Sequence, residues 1–161
     1  MKKLLSLFVC IPLLLCSCDK ENDGNKKTYS EIGTWKVTSI DFKTEGADEQ
    51  THGMLKIEIE ATIINMLYDD KYIAFKNGGI VTTNMKGTYS LSNNTLHMYV
   101  AGNTDDAWIF KVKTLEESNM VLIGDVLERI LDDAPTLEGT LTKAEITISA
   151  KKVEKEINID E

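Results

Sequence analysis

The stretch LTKAEITISAKKV, Leu141 to Val153, decides the fold. Ala144, Ile146, Ile148 and Ala150 alternate strictly with Glu145, Thr147, Ser149 and Lys151. Period two belongs to a β-strand, whose successive side chains point to opposite faces; a helix would space its apolar residues three and four apart. One apolar face and one polar face describe a strand of an antiparallel sheet, core on one side and water on the other.

The same pattern recurs upstream, separated by short turn signals. Thr34 to Lys43 reads as a strand with Trp35 and Val37 on one face and Ile40 and Phe42 on the other, a phase slip that predicts a bulge. Lys71 to Lys76 alternates around Ile73 and Phe75, and Asn77-Gly78-Gly79 turns the chain into Ile80 to Asn84. Gly87 to Leu91 leads through Ser92-Asn93-Asn94 into Thr95 to Ala101, with Leu96, Met98 and Val100 on one face. Beyond the loop 102–106, Ala107 to Leu115 alternates Trp108, Phe110 and Val112, and Asn119 to Gly124 adds a short strand. That makes eight strands joined mostly by short turns. The expected class is mainly all-β, an antiparallel barrel or sandwich.

Two segments break the pattern. Residues 125–133 read as a short helix before the last strand, with Asp125 and Glu128 in a capping arrangement and Pro135 at its end. The second is 47–68. Leu55, Ile59, Ile63, Met66 and Leu67 form one helical stripe, and Ile57, Ala61, Ile64 and Tyr68 a second. Residues 55–63 also alternate as a strand would, so both readings stand; the apolar continuation to Tyr68 favours a helix inserted after the first strand. A segment of that length between two strands is too long for a hairpin turn. The expectation is that Ile59, Ile63, Met66 and Leu67 seal one barrel mouth, as a lid or a plug, over Trp108 and Phe110.

The N-terminus has a different character. Met1-Lys2-Lys3 precedes the apolar run Leu4 to Leu15, too short for a stable membrane span but suited to a secretory signal. Leu15-Cys16-Ser17-Cys18 resembles the lipobox of bacterial lipoproteins. The resemblance implies cleavage after Ser17, a signal peptide over 1–17, and lipidation of Cys18; several acyl chains anchor stably where one would be marginal. Residues 18–31 then form the lipidated cysteine and a polar tether, and 154–161 a tail expected to fray. The run Asp19-Lys20-Glu21-Asn22-Asp23 resembles the acidic export signals of Bacteroidetes surface lipoproteins, and reads equally well as solvated linker. An aspartate directly after the cysteine marks inner-membrane retention in other bacteria. The expected location is the outer membrane, on either face.

Removing 1–17 takes away two lysines and no acid, so the net charge moves from −8 to −10. Such a chain is a poor electrostatic partner for nucleic acid. All three cysteines, Cys10, Cys16 and Cys18, lie in the signal or at the anchor, so the domain has no disulfide or thiolate site and must be held by packing.

Gly33-Thr34-Trp35, opening the first strand, resembles the Gly-x-Trp signature of lipocalins. Gly87-Thr88-Tyr89-Ser90, Asn93-Asn94-Thr95-Leu96 and Ile146-Thr147-Ile148 are similar to the lipocalin-like domain lipoproteins of Bacteroidetes, over 32–153. The resemblance implies an eight-stranded up-and-down barrel with Gly33 and Trp35 as structural signature and Trp35 packed across the closed end. Where lipocalins place an Arg near the end of the last strand, this chain has Lys151 and Lys152; its only Arg is Arg129. A Thr-Asp-Tyr loop motif is lacking, and residues 44–70 are inserted between the first two strands.

An eight-stranded barrel is either filled by side chains or holds one small ligand. If it holds one, an apolar or amphipathic molecule is expected against Ile63, Phe75, Tyr89, Trp108 and Phe110. The alternative is an accessory lipoprotein that docks another envelope component. His52 and His97 lie far apart in sequence, and the pairs Asp69-Asp70, Asp105-Asp106 and Asp132-Asp133 lack the glycine-punctuated spacing of a calcium loop. No catalytic constellation, metal site or cofactor is expected. Replacing Cys18 by Ala should abolish incorporation of labelled fatty acid; continued labelling of the Cys18→Ala chain would refute the anchor.

Overall fold

A computed structural model describes residues 29–84, 86–99 and 106–157. The expected signal segment, Cys18 and most of the expected tether lie outside them. Eight antiparallel strands close into one barrel in sequence order: β1 Gly33–Glu45, β2 Tyr72–Lys76, β3 Ile80–Thr82, β4 Lys86–Ser92, β5 Thr95–Tyr99, β6 Trp108–Leu115, β7 Asn119–Asp125 and β8 Lys143–Val153. Helix α1, Glu49–Met66, follows β1; helix α2, Leu127–Asp133, precedes β8. The eight-stranded barrel with one inserted helix and one short helix is the architecture the sequence predicts.

The alternation of residues 141–153 is realised in β8: Ala144, Ile146, Ile148 and Ala150 are buried. The phase slip in β1 is a bulge, since Val37 pairs with Ala150 and Ser39 with Ser149. That extra residue turns all four apolar side chains of β1 toward the core, Trp35 and Phe42 fully, Val37 and Ile40 in part. Tight turns fall where expected. Asn93 and Asn94 both have positive φ, 49° and 59°, as a two-residue hairpin turn requires. Asp69 and Asp70 do the same at 51° and 54°, so this acidic pair makes a turn.

Residues 55–63 are helical, and the strand-like alternation is overridden. Asp48 caps α1, its carboxylate accepting from the Thr51 amide at 2.7 Å, and that hydrogen bond holds the Asp48 carboxyl below its usual range. Leu55, Ile59 and Ile63 are buried, one helical turn apart, whereas Ile57 is 72% exposed. Burying each such side chain stabilises by roughly 1.5–3 kcal/mol, so three seated residues outweigh leaving the second stripe in water. α1 is pinned at its ends. His52 Nδ1 lies 2.9 Å from Thr44 Oγ1 and its ring stacks on Phe42; Asn84 donates from its backbone to the Met66 carbonyl at 2.9 Å and from its side chain to Asn65.

The two barrel ends differ. At the closed end Trp35 is wholly buried, and its Nε1–H donates to the Glu31 carbonyl at 2.6 Å. The Lys152 ammonium lies 5.3 Å from its ring centroid, the place taken by arginine in the resemblance above. Gly33 has a φ of 133°, and a Cβ there would lie 2.5 Å from the Lys152 stem, so glycine leaves the lysine its seat beside Trp35. Phe75 and Tyr89 meet edge to face at 4.9 Å, and the Tyr89 hydroxyl donates to the Glu31 carboxylate at 2.9 Å. The tail is ordered further than expected: Ile157 is buried, and Lys155 Nζ sits 3.9 Å above the Tyr72 ring and 3.7 Å from Asp69.

Trp35→Ala should cost about 3–5 kcal/mol, a large share of a small domain's stability, and collapse the melting transition; wild-type melting would count against the closed end as described. Burial, then the hydrogen bond to the nearby Glu31 carboxylate, pushes the Tyr89 hydroxyl up to about 12. The folded chain therefore keeps that proton where the unfolded one, near 10, has released it. The resulting stability is full below about pH 10 and lost as pH rises toward 12. Tyr89→Phe should flatten this alkaline loss in denaturant titrations, and an unchanged slope would refute the assignment.

Candidate functional site

The open end is built from the start of β6, the end of β7 and α2. Trp108 and Phe110 point the same way from β6, and their rings stack at 6.3 Å with planes 10° apart. Phe110 is buried and Trp108 half-buried, so the pair grades from core to solvent. On β7, a Cβ at Gly124 would lie 3.0 Å from the Phe110 ring and 3.2 Å from Ile146; glycine there gives the ring its place.

Helix α2 brings Arg129 over this pair. Its guanidinium lies 4.2 Å from the Trp108 ring centroid. The fork grips Asp106, with Nη1 donating to Oδ2 at 2.9 Å and Nη2 to the other carboxylate oxygen, and Nη2 also reaches the Ala107 carbonyl at 3.3 Å. Asp125 accepts from the Leu127 amide at 3.0 Å just ahead of α2. The N-cap position is Val126 and carries no side-chain cap, so the capping arrangement of Asp125 with Glu128 expected from the sequence is not formed and the helix starts two residues later. Between these elements lies a cavity of about 420 Å³, floored by Trp108 and Phe110 and rimmed by Asp106, Asp125, Glu128, Asp132 and Asp133. The volume is in the range of small-ligand sites.

Beneath α1 the barrel is almost full. Only about 20 Å³ of free space remains among Ile63, Met66, Leu67, Met98, Phe110 and Met120, little more than one water needs. A cleft of about 210 Å³ between α1 and α2 touches Leu55, Ile59, Trp108 and Ile130. Trp108 therefore stands between two clefts, and Phe110 separates the mouth cavity from the core.

The residues singled out from the sequence fall into two groups. Ile63, Trp108 and Phe110 gather at the open end under and beside α1. Phe75 and Tyr89 lie with Gly33 and Trp35 toward the closed end, away from the mouth. Ile59, Ile63 and Leu67 are buried and Met66 packs against the core. They meet Phe110 and Trp108 from the α1 side, but none of the four lines the mouth cavity, so the expected seal over those aromatics is only partial. Arg129 and its acidic neighbours were missed as a site. The signals were present, a sole arginine and two aspartate pairs, but only the tertiary approach of α2 to the start of β6 joins them. Among the described residues, no group of three or more His, Cys, Asp or Glu is placed to hold a metal ion.

The model of the family described as lipocalin-like domain matches residues 32–122, more than half of the chain. No curated protein and no solved structure gives a significant match. The match runs from the segment leading into β1, through α1, to β7, and β8 completes the same closed barrel. By sequence and by architecture, the chain belongs to the lipocalin-like domain family.

Proposed function

We propose that the mature protein is an outer-membrane lipoprotein, anchored through Cys18, whose barrel mouth binds a small apolar or amphipathic molecule. One observation carries the location of the site: the mouth keeps about 420 Å³ beside Trp108, the interior under α1 keeps about 20 Å³, and the larger space of about 610 Å³ beside Gly33, Phe75 and Ile157 is a more open groove on the barrel's outside. Binding rather than catalysis is the reading that an aromatic floor without a nucleophile–base pair supports. The anchor reading rests on Leu15-Cys16-Ser17-Cys18. The tether, 19–31, spans on the order of 20 Å root-mean-square, and it enters beside Trp35 at the closed end. The mouth is thus at the far end of the barrel from the lipid.

Helix α1 lies beside this cavity and does not line it; in this reading it acts as a lid over the filled interior behind Phe110. It is hydrogen-bonded at its two ends, and among the described residues its middle is seated by the apolar side chains of Leu55, Ile59 and Ile63, a seat that can be left without breaking sheet pairing. A second reading, an accessory lipoprotein docking another envelope component, draws on the outward face of the same helix, where Met54, Ile57 and Ile64 are exposed.

The neutral dye Nile red tests the first reading. Saturable binding with a blue-shifted emission is expected, and Trp108→Ala should weaken it about tenfold or more. Ile63→Ser should admit more dye with only moderate loss of stability if α1 is a lid. Absence of saturable binding in both the wild type and Ile63→Ser would overturn the ligand-binding reading.

A further inference from the structure

The mouth cavity has a charge pattern that narrows its ligand. Five carboxylates line it, from Asp106, Asp125, Glu128, Asp132 and Asp133, against one guanidinium, that of Arg129. That guanidinium is already engaged, forked on Asp106 and 4.2 Å from the Trp108 ring centroid. An anionic headgroup entering here would find its one cation engaged and four further carboxylates opposing it, in a chain that is acidic throughout. A cation would find the reverse. The spot over Trp108 is moreover shown to accept a cation, because Arg129 occupies it at 4.2 Å from the centroid. Trp108 is half-buried and stacked on the buried Phe110, so its indole is the apolar surface the cavity offers a hydrocarbon body. The carboxylates are spread around the rim and not converged on a point, so they suit a bulky organic ammonium in place of a metal ion.

Resting on the ligand-binding reading above, we infer that the mouth cavity selects cationic amphiphiles: the ammonium lies on Trp108 within the acidic rim, and the apolar body follows the half-buried Trp108 indole. Arg129 is the resident occupant of the Trp108 face. The ligand's ammonium takes over that face, while the guanidinium stays on Asp106 at the cavity edge. Arg129 is thus a competitor of the ligand and a specificity-determining residue, in contrast to the arginine that would clamp an acidic ligand.

The test uses three chains of one length, octyltrimethylammonium, octanol and octanoate, titrated below their micelle concentrations into the mature polypeptide by calorimetry. The ammonium should bind about tenfold more tightly than octanol, with octanoate weakest. Asp132→Asn with Asp133→Asn, both solvent-exposed, should weaken the ammonium several-fold and leave octanol unchanged. Arg129→Gln should tighten the ammonium by freeing the Trp108 face. Equal binding of the three chains, or preference for octanoate with its loss in Arg129→Gln, would overturn the cation assignment and leave the amphiphile site standing. Ammonium binding that survives both Trp108→Leu and the double aspartate change would mean general attraction to an acidic surface, and would overturn it too. If no chain binds, the ligand-binding reading falls with it.

Discussion

β1 is paired with β8 from Thr34 to Glu45, but with β2 only from Gly33 to Lys36. The rest of the structure depends on that inequality. β8 seals the barrel along one whole edge of β1, while the upper part of the other edge has no strand beside it, because β2 and β3 have only five and three residues. A barrel with such an opening would expose its core to water. α1 supplies the missing wall with side chains in place of backbone pairing: Leu55, Ile59, Ile63 and Leu67 fill from above what two longer strands would have fenced in. The insertion after β1 is therefore part of the barrel's closure. The same arrangement makes the closure a candidate for movement, since a helix seated by apolar contact can leave without unzipping a sheet.

The two ends are held together in different ways. At the closed end every aromatic is tied down: Trp35 by Glu31 and Lys152, Phe75 by Tyr89, and Tyr89 by Glu31 in turn. Glu31 uses its carbonyl for one aromatic and its carboxylate for another, which fixes the end of the tether as well as the floor. At the open end the aromatics are held by stacking and by one arginine fork near water.

Much of this was legible in the sequence because period two survives burial on one face. The alternation at 143–153, the turn residues Asn93-Asn94 and the phase slip between Val37 and Ile40 each mapped onto an observed feature. The segment 55–63 carried two periods at once, and the decision lay outside it, in the Asp48 cap and the run on to Leu67. Which barrel end each aromatic served could not be read from alternation, which gives the face of a sheet and not the height along it. Phe75 and Tyr89 were grouped with Trp108 for that reason. The role of Arg129 was hidden more deeply, since its partners stand 20 or more positions away in sequence and meet it only through the path of α2.

The two tryptophans mark the two ends, and each has an indole N–H whose resonance can be followed separately. Titrating an octyl-chain amphiphile into the protein while recording the two indole signals shows directly where the amphiphile binds. The account predicts a saturable shift of the Trp108 signal and none at Trp35, whose N–H is bonded to the Glu31 carbonyl at the closed end. A saturable shift at Trp35 with Trp108 unmoved would contradict it.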